Sequence, residues 1–172
     1  MVMAAAALVT VEEYLSTSYE PECEYVDGVV LDRHAGERDH SSLLGAVMCW
    51  LHTRRREFDG LVYPILRVRL GPTRIRVPDI CVFRGEEPQE DIPSRPPFLC
   101  VEILSPDDRA AQILEKIHDY LEFGVPCVWV IDPAARRGWV YTTAGCQEVR
   151  DGVLRAGNPE IAVPLAEIFA EL

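Results

Sequence analysis

Phe98-Leu-Cys-Val-Glu-Ile-Leu104 is apolar at every position except Glu102. A short apolar run of this kind is typical of a central strand that is covered on both faces. Ser105-Pro-Asp-Asp108 follows it and has the residues of a helix start, so we expect a helix over 106–123. A second apolar run, Cys127 to Ile131, completes a β-α-β unit, which we expect to be parallel and right-handed.

Capping residues, turn residues and hydrophobic periodicity predict further elements around this unit. They are a short helix opened by Thr10–Glu13, a hairpin over Glu24–Leu31, a helix from about His40 to Phe58 capped by Asp39, strands over Leu61–Leu70 and Thr73–Phe83, and a second hairpin from Gly138. The core order is helix, three strands, helix, strand. We therefore expect an α/β (α+β) fold with a central mixed β-sheet flanked by helices, and the length suits residues 1–172 as a single domain.

The net charge of −11 argues by itself against a nucleic-acid partner, because an acidic surface repels phosphate. Seven arginines nevertheless lie between Arg54 and Arg76, and such a zone is usually only a solvated face. Within it, two pairs of arginines each share a strand face. These pairs are Arg67 with Arg69 and Arg74 with Arg76.

The apolar stretch Val2 to Val9 is too short to span a bilayer, and no longer apolar run follows it. We interpret it as a frayed terminus and expect a cytoplasmic protein without membrane contact. The six cysteines contain no Cys-x-x-Cys pair, so a zinc site is not expected. Cys81, Cys100 and Cys127 lie in apolar runs and should be buried and reduced.

Two carboxylates stand out because both lie in apolar strands. An ionised Glu102 in a buried strand is costly unless an arginine pairs with it or a metal binds it. Asp79 follows Pro78, which interrupts a strand, so Asp79 is either a turn residue at that irregularity or part of a site. On neighbouring strands the two acids could hold a hard divalent cation through their oxygens. Such a cation would suit phosphodiester hydrolysis.

Lys116 is the only lysine in the chain, and it shares a polar line on its helix with Gln112 and Tyr120. The apolar face of that helix is predicted to be Ala110, Leu114, Ile117 and Leu121. From these residues alone, a solvated surface lysine is the simpler interpretation. Glu24 in a hairpin strand and His40 at a helix start are likewise ordinary surface residues when taken alone.

Taken in order, several segments resemble the bacterial restriction-endonuclease family called Uma-two, over nearly the whole chain. They are Thr10–Leu15, Glu24–Gly28, His40, Arg76–Asp79, Val101–Pro106, Glu115–Tyr120, Gly124–Pro126 and Trp129–Pro133. That family is similar to the PD-(D/E)XK nucleases, whose core order is αβββαβ. The resemblance thus implies a restriction-endonuclease-like core with an added N-terminal helix and hairpin.

The resemblance implies that Asp79 and Glu102 hold Mg²⁺, for which Mn²⁺ could substitute, and that Glu24 is a further acidic ligand. In PD-(D/E)XK enzymes a lysine stands two residues after the Glu, where this chain has Leu104. The resemblance implies that Lys116 supplies that charge from the following helix.

The implied pocket also includes Tyr120, His40 and Gln112. We expect a Mg²⁺-dependent endonuclease acting on DNA, which the arginine pairs would contact, and a homodimer would suit cleavage of two strands. The alternative is a catalytically weak or inactive nucleic-acid-binding or assembly module on the same fold.

Overall fold

The computed structural model describes residues 8–33, 37–158, 160–170 and 172, which form four helices and three β-sheets. The helices are α1 (Val11–Ser16), α2 (Arg38–Arg54), α3 (Ala110–Phe123) and α4 (Leu165–Ile168). The strands are β1 (Cys23–Val26), β2 (Val29–Asp32), β3 (Gly60–Pro64), β4 (Val68–Gly71), β5 (Arg74–Arg76), β6 (Ile80–Arg84), β7 (Leu99–Ile103), β8 (Cys127–Asp132), β9 (Arg137–Thr142), β10 (Gly145–Glu148), β11 (Val153–Ala156) and β12 (Ile161–Pro164).

Most of the stretch from Val2 to Val9, predicted to be frayed, lies outside the described residues. Within the described part of the chain, each helix is too short or too polar to cross a membrane.

The central sheet has six strands in the order β10-β9-β8-β7-β6-β3. β7 and β8 are parallel and are joined through α3, whereas the other neighbouring pairs are antiparallel. The mixed sheet and the order α2, β3, β6, β7, α3, β8 confirm the predicted core. β7 is buried along its whole length, which explains why its sequence is apolar on both faces.

The two faces of the central sheet pack against different helices. Val101 and its same-face neighbours lie in a cluster with Leu43 and Val47 of α2. Cys100, on the opposite face, packs with Ile117 of α3. Since side chains alternate along a strand, Glu102 shares the face of Cys100 and lies under α3. The predicted burial of Cys81, Cys100 and Cys127 is confirmed, and all three are free thiols.

The prediction of continuous strands over Leu61–Leu70 and Thr73–Phe83 is wrong, because each is divided between two sheets. Ile65 adopts a positive φ of 48° after β3, and the chain then enters β4. β5 likewise ends at Arg76 and β6 begins at Ile80, because Pro78 cannot donate to a ladder. β4 and β5 join the first hairpin in a second sheet, ordered β2-β1-β5-β4.

Two helix starts also differ from the prediction. α2 begins at Arg38, so Asp39 lies in its first turn and does not cap it. α3 begins at Ala110, and residues 105–108 form a separate turn in which the Asp108 carboxylate accepts a 2.7 Å bond from the Ser105 amide.

The predicted apolar face of α3 is rotated from the one observed. Leu114 is 54% exposed and Ala110 is also exposed, whereas Ile117, Asp119 and Tyr120 are buried. The helix therefore turns a partly polar face toward the sheets. This rotation brings Lys116, one position before Ile117, to the buried side.

Candidate active site

A cavity of about 180 Å³ opens where the central sheet, the second sheet and α3 meet. Both sheets and the helices α2 and α3 contribute to its walls. Its lining residues are Glu24, Leu31, Asp32, Arg33, His40, Arg76, Asp79, Glu102, Ile103, Ser105, Asp108, Gln112, Ile113, Glu115 and Lys116. The lining includes six of the predicted site residues: Asp79, Glu102, Lys116, Glu24, His40 and Gln112. Tyr120, also predicted for the pocket, is not among the lining residues, whereas Arg76, predicted to contact nucleic acid, is.

Asp79 lies in the short crossing between β5 and β6 and is only 3% exposed. Its Oδ2 accepts a 2.7 Å bond from the Ile103 amide and lies 3.3 Å from His40 Nε2. Arg33 Nη2 donates to its Oδ1 at 2.5 Å. Burial alone would raise the pKa of Asp79, but the His40 hydrogen bond and the charge of Arg33 outweigh it and lower that pKa. Asp79 is therefore an ionised carboxylate at neutral pH.

Glu102 is also 3% exposed and is held by two residues of α3. Tyr120 donates its hydroxyl to Oε1 at 2.7 Å, and Lys116 Nζ lies 2.8 Å from Oε2. Burial raises the pKa of Glu102 to about 7; Lys116 opposes this shift, and the negative charges of Asp79 and Glu24 add to it. Carboxylates that repel one another in this way share one small space.

Lys116 joins both sheets to α3 through its ammonium group. Nζ lies 2.8 Å from Glu102 and 3.0 Å from Glu24, and the side chain is only 12% exposed. Burial alone would lower the pKa of Lys116, but the charges of Glu102 and Glu24 outweigh it and raise that pKa. The interpretation as a solvated surface lysine is therefore wrong.

Glu24 is fixed by donors on both of its oxygens. Oε1 accepts from the Val77 amide at 2.9 Å as well as contacting Lys116, and Oε2 contacts Arg76 Nη1 at 2.8 Å. Arg76 in turn binds Asp119 of α3 at 2.7 Å through Nε. These contacts make Glu24 a support for Lys116, which suits it less well to the predicted role of a metal ligand.

The predicted DNA contact of Arg76 conflicts with its burial. Its side chain is 3% exposed and is enclosed by the carboxylates of Glu24, Asp119 and Glu115. Arg74 shares its strand face, as predicted, and also binds Asp119, at 2.6 Å. Both arginines thus neutralise acids inside the protein.

Arg67 and Arg69 lie outside the cavity lining. Arg67 pairs with Glu22 at 3.1 Å, and Arg69 donates to the Gly71 carbonyl at 3.4 Å. Their contact with nucleic acid stays a prediction.

The Uma2 family model, described as "Putative restriction endonuclease", matches residues 11–167. This chain belongs to the Uma2 family. A crystal structure of a "putative nuclease" from Anabaena variabilis superposes on the Uma2 chain with a TM-score of 0.83 at 22% identity. The match covers 94% of this chain and 98% of that one, and it shows a shared fold. Among curated proteins, none matches the chain significantly.

The family description supports a nuclease, and the chemistry of the cavity is compatible with a divalent cation. Asp79 and Glu102 offer hard carboxylate oxygens, and a cation would offset the burial and the negative charges that raise the pKa of Glu102. Among the described residues, no three His, Cys, Asp or Glu side chains are grouped to hold a metal. Mg²⁺ is commonly held by one or two carboxylates together with water and substrate phosphate, so this donor set fits it.

Two residues that bear on this site were not predicted: Arg33 lines the cavity, and Asp119 binds Arg76 from outside the lining. Arg33 follows a hairpin strand, and no local pattern indicates that it reaches Asp79. Asp119 lies three residues beyond Lys116, and its side chain is only 1% exposed. Its one signal was the Arg74 and Arg76 pair, whose shared strand face requires nearby acids if it is buried.

We expect Arg76→Met to lower the free energy of unfolding by about 3 kcal/mol, because removing one partner strands buried charges on Glu24 and Asp119. Urea unfolding followed by circular dichroism measures the change. Arg38→Met is the matched control, since the Arg38 side chain is 89% exposed. A loss for Arg76→Met that is no larger than the control's would contradict the structural role.

We expect Glu102→Gln to stabilise the metal-free protein above pH 7. The pKa of Glu102 is raised from 4.5 to about 7 on folding. Its contribution to stability is therefore present below pH 4.5 and is lost as the pH rises through 7. Gln cannot ionise, so the variant should exceed wild type by on the order of 2–3 kcal/mol at pH 8 and match it near pH 4.5.

Urea unfolding at several pH values in EDTA measures this difference. Glu122→Gln on the same helix is the control, because the Glu122 side chain is 71% exposed. A difference between Glu102→Gln and wild type that does not change with pH would refute the assignment.

Proposed function

We propose that this Uma2 protein is a Mg²⁺-dependent endonuclease of the PD-(D/E)XK type that hydrolyses DNA phosphodiester bonds. The observation that carries the proposal is the convergence of Asp79, Glu102 and Lys116 on one cavity. Asp79 immediately precedes β6 and Glu102 lies in β7, and the lysine comes from the helix that follows them. Leu104, at the usual position of the lysine, is instead partly buried in the apolar cluster under α3.

Asp79 and Glu102 would hold the cation, which supplies Lewis acidity for water and neutralises charge on a phosphate. Lys116 keeps its proton and lies against Glu102, so it can orient an attacking water and balance the charge that develops on the phosphate. Tyr120 fixes the second oxygen of Glu102, and His40 lies beside Asp79. Both restrict the acids to the orientations in which they face the cavity.

The description of the Uma2 family supports DNA as the substrate. A cut through both strands requires two cavities that act on one duplex. We therefore include a homodimer in the proposal, as the form that linearises duplex DNA.

The alternative is a weakly active or inactive nucleic-acid-binding or assembly module. One observation favours it: both candidate ligands already contact cationic side chains, Arg33 on Asp79 and Lys116 on Glu102. The net charge of −11 also opposes phosphate binding. Such a module would bind nucleic acid or a protein partner and hydrolyse neither duplex nor single strands.

The decisive experiment incubates supercoiled plasmid and circular single-stranded DNA with the protein in Mg²⁺, Mn²⁺ or EDTA. The proposal expects nicked or linear product with either metal and intact DNA in EDTA. Glu102→Gln, purified identically, excludes a contaminating nuclease. Binding without hydrolysis in both metals would favour the alternative, and equal cleavage by wild type and variant would refute the site.

A further inference from the structure

Arg33 lies directly after β2 and lines the cavity opposite the central sheet. Its Nη2 reaches Asp79 Oδ1 at 2.5 Å, while the other oxygen of Asp79 lies near His40 and the Ile103 amide. Asp79, a candidate metal ligand, is therefore already paired with the permanent positive charge of Arg33. A cation that binds Asp79 must share that carboxylate with Arg33 or displace it.

We propose that Arg33 is the guanidinium that the metal displaces from Asp79 and that then binds the phosphate of the substrate. This inference rests on the proposed function and adds a substrate-binding residue to it. Arginine suits the second role because its planar fork of N–H donors matches two phosphate oxygens and stays charged at every relevant pH.

The described residues that line this cavity include the arginine and lysine side chains Arg33, Lys116 and Arg76, and Arg33 is the one best placed to move. Its side chain is 17% exposed, compared with 12% for Lys116 and 3% for Arg76. Lys116 contacts two buried carboxylates, and Arg76 contacts two buried carboxylates and the exposed Glu115. Releasing either of them would strand several buried charges, whereas the Arg33 charge would move from a carboxylate to a phosphate.

The charges also determine the order of events. A divalent cation and a guanidinium repel each other when both contact Asp79, so Arg33 weakens metal binding in the absence of DNA. A phosphate between the cation and the guanidinium can bind both through its oxygens. Its negative charge then attracts both positive groups and offsets their mutual repulsion. Metal and phosphate should therefore bind cooperatively, and Arg33 should carry part of that coupling.

The first arm of the test titrates Mn²⁺ into DNA-free protein by calorimetry. Arg33→Gln should bind Mn²⁺ about tenfold more tightly than wild type, since it removes one positive charge beside the ligand. Arg38→Gln removes the same charge five residues away, from a side chain that is 89% exposed, and should bind as wild type does. Arg33→Lys, which keeps the charge, should stay within about threefold of wild type.

The second arm measures binding of a short DNA duplex with saturating Ca²⁺ in place of Mg²⁺, with the duplex verified intact on a gel. Arg33→Gln should weaken binding about tenfold and reduce the salt slope by about 0.9, the value for one lost phosphate contact. Arg33→Lys should weaken binding without this loss of slope, because it keeps a charge but loses the fork. Arg38→Gln should change neither quantity.

Equal Mn²⁺ affinity in wild type and Arg33→Gln would overturn the displacement. Tighter Mn²⁺ binding with unchanged duplex affinity and slope would overturn the phosphate role. If wild type and Arg33→Gln both fail to bind Mn²⁺, the proposed function itself fails, which is a distinct result. If Arg33→Gln does not fold, Arg33→Lys is used for the test. Duplex binding by Arg33→Lys that equals that of wild type would then overturn the role of the guanidinium fork.

Discussion

Asp79→Asn and Glu102→Gln are each expected to reduce Mg²⁺-dependent cleavage of DNA by about 1,000-fold or more. Each substitution keeps the shape of the side chain and removes the charge that would hold the cation. Metal catalysis supplies several kcal/mol of transition-state stabilisation, and each 1.36 kcal/mol corresponds to a factor of ten in rate. Glu24 lies in the same cavity but is already held by Arg76, Lys116 and the Val77 amide, so we do not expect it to replace either acid.

Single-turnover cleavage and Mn²⁺ titration, performed on the same preparations, test this expectation. Both variants should lose metal binding together with activity while their circular dichroism spectra stay native. Glu122→Gln, a neutralised and exposed glutamate on α3, should retain both properties. If the metal titrations of both Asp79→Asn and Glu102→Gln match wild type, the metal does not bind in this cavity.

Lys116→Met is expected to reduce cleavage by roughly 100- to 1,000-fold, the usual cost of removing one charged donor from a preorganised site. The reason differs from that for the acids. The variant loses the ammonium beside Glu102 but keeps both oxygens of each candidate ligand, so Mn²⁺ binding at pH 8.5 should survive. Losing Lys116 would raise the pKa of Glu102 further. The titration is therefore done at pH 8.5, which favours the ionised form of Glu102 when the Lys116 ammonium is absent.

The split between metal binding and turnover distinguishes this role from a structural one. Lys116→Arg should cleave faster than Lys116→Met, because it restores a positive charge at the same position of α3. His118→Gln, two residues away and with a 75% exposed side chain, should behave as wild type. Loss of Mn²⁺ binding in Lys116→Met would show that Lys116 acts by positioning the carboxylates that bind the metal. Full cleavage activity in Lys116→Met would exclude Lys116 from the reaction.

The two acids could be predicted because a buried carboxylate is anomalous in its own strand. Glu102 interrupts an apolar run and Asp79 follows a strand-breaking Pro78, so each is visible without knowledge of its neighbours. Lys116 has no such local anomaly, and its role came from the family resemblance alone. Arg33 and Asp119 could not be predicted, because their partners lie 46 and 43 residues away in the sequence.

The fold shows the same division between local and distant determinants. The turn at Asp27 and Gly28, both of which adopt positive φ, was predicted because those residue types suit it. Pro78 predicted an interruption, but the separation into two sheets depends on pairing partners that no local pattern specifies. The start of α3 was predicted four residues too early, since residues 105–108 form a turn before the helix begins at Ala110.

The crossing from β5 to β6 has a consequence for how this protein can change in evolution. Only residues 77–79 separate Arg76, which supports Glu24, from Ile80, which begins a core strand. One residue added or removed there would shift Asp79 relative to one of the two strands that flank it. Homologues that keep the chemistry should therefore conserve the length of this segment even where its residues differ. The loop over 85–97 contributes no residue to the cavity, so its length is not constrained by the site.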